Sequence, residues 1–286
     1  MVFLNLYIQM SNSYTKIKEI FIEDNNVNDF VNLDKSTLAY HRILSALQKP
    51  LKLILFYGKP GCGKTFLLNK IKVDLEKKAK VAFIPQPFFD EKEFFLDLYH
   101  QLFGDKSRKN IDNYESFMRV YREKLGIKKD DISAINQVVI LLDEAQLYPK
   151  NLIEKIRLMA DTRLFKFLFT VHKTDEEDVL AKDYFKTRIW ESIELPNSNL
   201  GEIKLYIEKK LVFHGFSEYF LMFKDENFDL ILSLTNGNLR NINKLMYKMY
   251  ELLEYYEENK PTEISLSYLN NKLIEMGAIS AGIINA

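Results

Sequence analysis

The chain has 286 residues, 47% of them hydrophobic, with 40 basic and 40 acidic side chains and no net charge. That is enough apolar material for a sizeable core and about two domains, and it excludes an intrinsically disordered chain. The charge balance argues against an extended nucleic-acid-binding surface and leaves room only for a local patch. The single cysteine, Cys62, excludes an intrachain disulfide framework and suits a reducing compartment.

The first ten residues, MVFLNLYIQM, are apolar but carry no basic residue before Lys16 and no small-x-small cleavage site. A signal peptide is therefore not expected. No stretch approaches the ~20 apolar residues of a membrane-crossing helix. The expected location is the cytoplasm, with any membrane association peripheral and through a partner. Residues 1–34 read as a poorly patterned segment, and its MVFLNLYIQM stretch as an added strand, a helix docked on the core or a surface anchor, with docking on the chain itself or on a partner favoured. A helix is expected from Lys35 to Gln48, and Leu51–Tyr57 (LKLILFY) is a short apolar run of the buried-strand kind.

The next residues, Gly58-Lys59-Pro60-Gly61-Cys62-Gly63-Lys64-Thr65, match the phosphate-binding pattern G-x-x-x-x-G-K-[ST]. Three glycines let the backbone curl so that successive N–H groups face one anion. Lys64 adds a point charge for β- and γ-phosphates, and the Thr65 hydroxyl is placed to hold Mg²⁺. A helix beginning at Phe66, with Leu67, Leu68, Ile71 and Leu75 on one side, offers its positive N-terminal end. A chance Gly-rich turn would lack this order of strand, loop and helix. Gly58 to Phe66 are thus the expected nucleotide-binding residues, with ATP and Mg²⁺ as cofactors. Cys62 occupies a variable slot that needs only a small residue.

Lys80–Ile84 reads as a second strand, stopped by Pro85 and Pro87. Helices are expected over Asp90–Phe103 and Asn113–Lys124, separated by a polar turn containing Lys106, Ser107, Arg108 and Lys109, read as a solvated loop. Gln137–Leu142 (QVVILL) has the near-continuous apolar character of a central strand in a parallel sheet. Asn151–Ala160 is helical, Leu164–Val171 a strand, Thr174–Phe185 a helix, and Ile189–Leu195 the closing strand. Strands alternating with helices predict an α/β fold: a three-layer αβα core over residues 35–196 with a five-stranded parallel sheet. From Asn199, which forms a capping-box pattern with Glu202, everything is helical. A small all-α domain over 197–276 is expected, with helices from Leu200 to near Gly215, Asp225–Thr235, Asn238–Glu257 and Ser265–Met276. The tail 277–286 has no assignment.

Asp143 and Glu144 follow the QVVILL strand directly. Parallel α/β sheets bind ligands at this edge, and two carboxylates there form the Walker B arrangement that hydrolysis needs beside a phosphate cradle. Asp143 would hold Mg²⁺ and Glu144 would activate the attacking water. An acidic helix cap is the plainer explanation of such a pair, but it loses weight beside the phosphate loop. Four scattered histidines and one cysteine show no metal-ligand spacing, and G-x-S-x-G is absent. The abundant Phe and Tyr fall at core spacings and read as packing.

Asp143-Glu-Ala-Gln-Leu-Tyr-Pro-Lys-Asn-Leu-Ile-Glu-Lys-Ile-Arg157-Leu-Met resembles the DEAQ segment of AAA+ ATPases of the ExeA (GspA) and MshM type. The resemblance spans about Lys35 to Tyr250. It implies an arginine finger at Arg188, just before the last strand, acting on a neighbouring subunit in a homo-oligomer. Arginine is scarce, eight of 40 basic residues, so one at an expected position carries weight. Thr235-Asn-Gly237-Asn-Leu-Arg240-Asn-Ile-Asn resembles the family's G-N-x-R-x-I-N segment, which makes Arg240 a sensor of the γ-phosphate. A polar sensor at the end of the Leu164–Val171 strand is Thr170, with His172 as the alternative; the Gly-Gln that the family often has nearby is missing. The resemblance implies a conformational switch assisting assembly of a secretion, type IV pilus or DNA-uptake machine, with an inner-membrane protein client. The alternatives are a DNA-associated AAA+ regulator resembling TniB-type transposition ATPases and the initiator branch, or a nucleotide-gated scaffold with little turnover. Zero net charge and the lack of a winged-helix segment after the lid weigh against DNA.

Overall fold

The computed structural model describes residues 13–22, 30–104, 110–126, 137–172, 188–260 and 268–285. These fall into two compact units, one comprising Leu38–Pro60 and Lys64–Leu195, the other taking in Gly61–Gly63, Pro196–Ala286 and the N-terminal residues up to Thr37. The expected helix at Thr174–Phe185, the Lys106–Lys109 turn and MVFLNLYIQM lie outside the described residues.

The first unit is built on a five-stranded, wholly parallel sheet: β1 (Leu53–Gly58), β2 (Val81–Ile84), β3 (Val138–Leu142), β4 (Phe165–His172) and β5 (Ile189–Glu194). The strand order is β2-β3-β4-β1-β5. All five β3 residues are buried, as are the first seven of β4, which is what strands covered on both faces show. One of the buried β4 residues is charged. Lys166 donates from Nζ to Leu47 O at 2.6 Å and Lys49 O at 2.8 Å. It thereby satisfies carbonyls at the C-terminal end of helix α2 (Asp34–Gln48), where a cation is favoured, and burial lowers its pKa.

The sheet is flanked by α3 (Lys64–Glu76), α4 (Glu91–Phe103), α5 (Tyr114–Leu125) and α6 (Lys150–Asp161). Their ends follow from local chemistry. Asp90 caps α4 by accepting from Glu93 N at 2.9 Å, and Gly104 closes it at φ 64°. Asn113 and Ser116 form a reciprocal capping box at the start of α5. Phe94, Phe95, Phe117, Tyr121 and Phe165 join one aromatic core. Burial there raises the Tyr121 phenol to about 12.

The second unit holds α7 (Leu200–Phe213), α8 (Asp225–Thr235), α9 (Leu239–Asn259) and α10 (Asn271–Ser280). The Asn199–Glu202 capping box is present in both directions. Two features depart from expectation. The N-terminal segment contains a helix, α1 (Ser13–Glu19), packed on α9 through Tyr14 and Ile17, with Phe21 beyond its end. The last helix begins six residues later than expected and runs through Gly277, because Asn270 caps it by accepting from Lys272 N and because α9 comes close there. A Cβ on Gly277 would lie 3.3 Å from the Met249 backbone, so the small residue that suggested a tail is a packing contact.

Candidate functional site

Sheet register places the first part of the site. Leu142 lies level with Phe169, so the following residues, Asp143 on β3's end and Thr170 on β4, are neighbours. Thr170 Oγ1 donates to Asp143 Oδ1 and accepts from Glu144 N at 3.1 Å. Glu144 N also reaches Asp143 Oδ1 at 3.0 Å. On the other side of β4, Gly58 ends β1 level with His172.

The glycine loop leaves β1 at that same edge. Its backbone takes positive φ at Gly61 (79°) and Gly63 (103°), conformations open to glycine. Helix α3 then starts at Lys64, and Thr65 in its first turn donates from Oγ1 to Asp143 Oδ2 at 2.7 Å. Asp143 is buried and accepts from two hydroxyls and one amide, which is how a buried carboxylate is made tolerable. The Lys64 ammonium is buried too, donating to Gly58 O at 2.8 Å and Lys59 O at 3.1 Å. Cys62 is buried, Lys59 and Pro60 are exposed, and Phe66 is half-buried.

Glu144 sits in the left-handed region at φ 53° and ψ 41°. For a non-glycine residue that costs on the order of 1–3 kcal/mol and is concentrated at functional sites. Its carboxylate is held from two sides, by His172 Nε2 at 3.1 Å and by Gln146 Nε2 at 3.1 Å. Burial and the Asp143 charge push the nearby Tyr148 phenol well above its ordinary value, so it stays neutral. Thr170 and His172 were alternatives in the sequence. The structure brings in both, one to Asp143 and the other to Glu144. The Gln146 contact was not anticipated, although its position in the DEAQ string was the available signal.

The two candidate arginines, Arg188 and Arg240, are placed differently. Arg188 directly precedes β5, whose first residue, Ile189, is level with Leu53 at the start of β1. It therefore stands at the opposite edge of the sheet, about 16 Å along β1 from Gly58. Its Nε lies 3.5 Å from Asp161 Oδ2. Arg240 is in the first turn of α9, and its N donates to Gly61 O at 3.2 Å within the second unit. A Cβ on Gly61 would come 2.5 Å from Asn238 Oδ1 and 2.8 Å from Arg240 Cβ.

Among the described residues no cluster of three or more His, Cys, Asp or Glu could hold a metal by protein ligands alone. The Thr65 hydroxyl and Asp143 carboxylate are instead two hard oxygen donors, of the kind Mg²⁺ takes when substrate phosphates and waters complete its shell. With a positive-φ glycine loop and an ammonium inside it, the residue set fits a magnesium nucleotide. No helix among the described residues is long and apolar enough to cross a membrane.

Comparisons with known proteins bear on the fold. No curated protein gives a significant match to the chain. Among solved structures, the chain is similar to Drosophila ORC bound to DNA, with TM-score 0.67 and 13% identity, covering 96% of this chain and 66% of that one. Cdc6p from Pyrobaculum aerophilum gives TM-score 0.60 and 16% identity over 83% of this chain and 66% of that one. The RuvB Holliday junction branch migration motor of Thermotoga maritima gives TM-score 0.54 and 14% identity over 91% and 72%. The chain thus spans just under two thirds of the length of the first two. At these identities the likeness is one of fold, the P-loop AAA+ core with a helical region after it. The AAA domain family matches residues 32–180, just over half of the sequence, and the chain belongs to that family.

Proposed function

We propose that this protein is an AAA+ ATPase that binds Mg²⁺·ATP at Gly58–Phe66, hydrolyses it where copies of the chain meet, and serves as a nucleotide-gated regulator acting on DNA. The observation that carries the hydrolytic half is the Asp143 node, a buried carboxylate joined to Thr65 and Thr170 with Glu144 beside it. Lys64 contacts the β- and γ-phosphates, and Thr65 and Asp143 hold the metal. Bound magnesium supplies neutralisation of the charge that develops on the phosphates. Glu144 orients the attacking water, Thr170 ties its amide to Asp143, Arg188 serves the neighbouring copy, and Arg240 links the nucleotide to the helical unit. The placement of Arg188 at the sheet edge opposite Gly58 supports action in trans.

Support for DNA as the client comes from the similar proteins, since the ORC structure is bound to DNA and RuvB is a Holliday junction motor. The DEAQ segment and its following helix favour a second reading, an assembly factor of a secretion or pilus machine, through the ExeA and MshM resemblance. None of the three similar structures named above is of that kind, so this reading ranks second.

Lys64→Ala is expected to lose ATP binding. Glu144→Gln is expected to keep binding, to lower turnover by about 10²-fold or more, and to trap an ATP-bound oligomer. Isothermal titration, steady-state hydrolysis and light scattering on the two variants read this out; parent-like binding and turnover in both would remove the site assignment. Capture with the Glu144→Gln trap separates the clients: DNA supports the first reading, and secretion or pilus inner-membrane proteins support the second.

A further inference from the structure

A cavity of about 670 Å³ lies wholly within the helical unit, among the residues just after α1, the N-terminal half of α9 and the end of α10. Arg240, Lys244 and Lys248 line it at intervals of four, together with Phe21, Tyr247 and Ser280, and no acidic residue does. Intervals of four keep side chains on one helix face and spread three cations over about 12 Å. Lys244 is exposed and has no ion-pair or hydrogen-bond partner among the described residues. Lys248 pairs with Glu251 at 2.6 Å, a partly exposed i,i+3 contact that exchanges readily for another anion.

A solvated lysine face is ordinary. Here the row borders a cavity with an aromatic floor: Phe21 is buried and Tyr247 is half-buried. Volumes of this size enclose a ligand of a few rings, not a duplex. Cations tracking a backbone beside an aromatic face are the elements that hold single strands without sequence preference. About 12 Å along the helix spans roughly two successive phosphates of an extended strand. We infer that this cavity binds a short single-stranded nucleic-acid segment, its phosphates along Lys244 and Lys248 and a base against Tyr247. The inference rests on the DNA-acting reading above and adds the surface and the strand form.

The test is fluorescence anisotropy of labelled oligothymidylate and of a duplex of equal length, over a series of salt concentrations. The parent chain is expected to bind the single strand. Lys244→Ala/Lys248→Ala is expected to weaken it by about tenfold or more at low salt and to flatten the slope of log K against log salt by about 1.4. Tyr247→Ala is expected to weaken binding with the slope unchanged, and Tyr247→Phe to restore it. ATP turnover without nucleic acid stays at the parent level in the lysine variant, and thermal unfolding checks that every variant is folded. Parent-like affinity and slope in the lysine variant overturn the inference. Binding of the duplex alone, equally by parent and variant, overturns it and leaves the DNA reading standing; binding of neither overturns both. Repetition in Lys64→Ala separates the sources of phosphate, since full displacement of the strand by free ATP there assigns the cavity to a free nucleotide and overturns the inference.

Discussion

Thr170 shows how much a single hydroxyl organises. It lies one residue before the last buried position of β4, gives its proton to Asp143 and takes one from the Glu144 amide. Replacing it with valine keeps the shape and removes both bonds, leaving a buried carboxylate and an amide underserved, at a cost of about 1–3 kcal/mol. Thr170→Val is expected to lower ATP turnover while ATP affinity holds, and to reduce unfolding stability by that amount; turnover equal to the parent would make Thr170 a structural residue alone. A polar residue near the end of a hydrophobic strand is visible in the sequence. The clamp of His172 and Gln146 on the Glu144 carboxylate is not, because it depends on a left-handed turn at Glu144 that no periodicity records.

At the level of elements, α1 was one that patterning missed. Seven residues are too few for an isolated helix, and its apolar face amounts to Tyr14 and Ile17, so its stability comes from α9. Lys18 and Thr15 both donate to Glu254 on that helix. Burial works against the Glu254 charge, but these two bonds win and hold its carboxyl below the ordinary 4.5. A lowered carboxyl contributes stability above its unfolded value and loses it as pH falls through the folded one. The bond that Lys18 donates to Glu254 raises the lysine, so at the basic end the pair's contribution is present below 10.5 and fades as pH rises above it. Glu254→Gln should therefore cost about 1 kcal/mol near neutrality, with the difference from the parent vanishing below pH 4.5 in denaturant titrations. A difference unchanged at low pH would mean that packing, not charge, joins the two helices. The long amphipathic α9, the capping box at Asn199 and the buried β3 were legible because their signals are local; α10 was misplaced because its cap, Asn270, lies inside the expected Ser265–Met276 span and its end depends on Gly277 packing against Met249.

For the molecule as a whole, strand and helix alternation was enough to foresee a parallel sheet. The order β2-β3-β4-β1-β5 was not foreseeable, since β4 enters between β3 and β1 from far along the chain. That order sets Thr170 and His172 between the glycine loop and the carboxylates, and leaves Arg188 at the far edge. If Arg188 completes a neighbour's site, Arg188→Ala and Lys64→Ala are each expected to be inactive alone and to regain activity when mixed, because an interface can then combine the intact loop of one with the arginine of the other. Activity that stays absent at every mixing ratio would place the function of Arg188 within its own chain.

The docking of α1 on α9 also sets a timetable for synthesis. Thr15 and Glu254 are 239 positions apart. A ribosome adding about 5–20 residues per second needs on the order of 10–50 seconds to deliver one after the other. Through that interval the sheet unit can be complete, whereas Tyr14, Ile17 and Phe21 wait without the helix that covers them. The first of the described helices to be made is thus among the last to find its place.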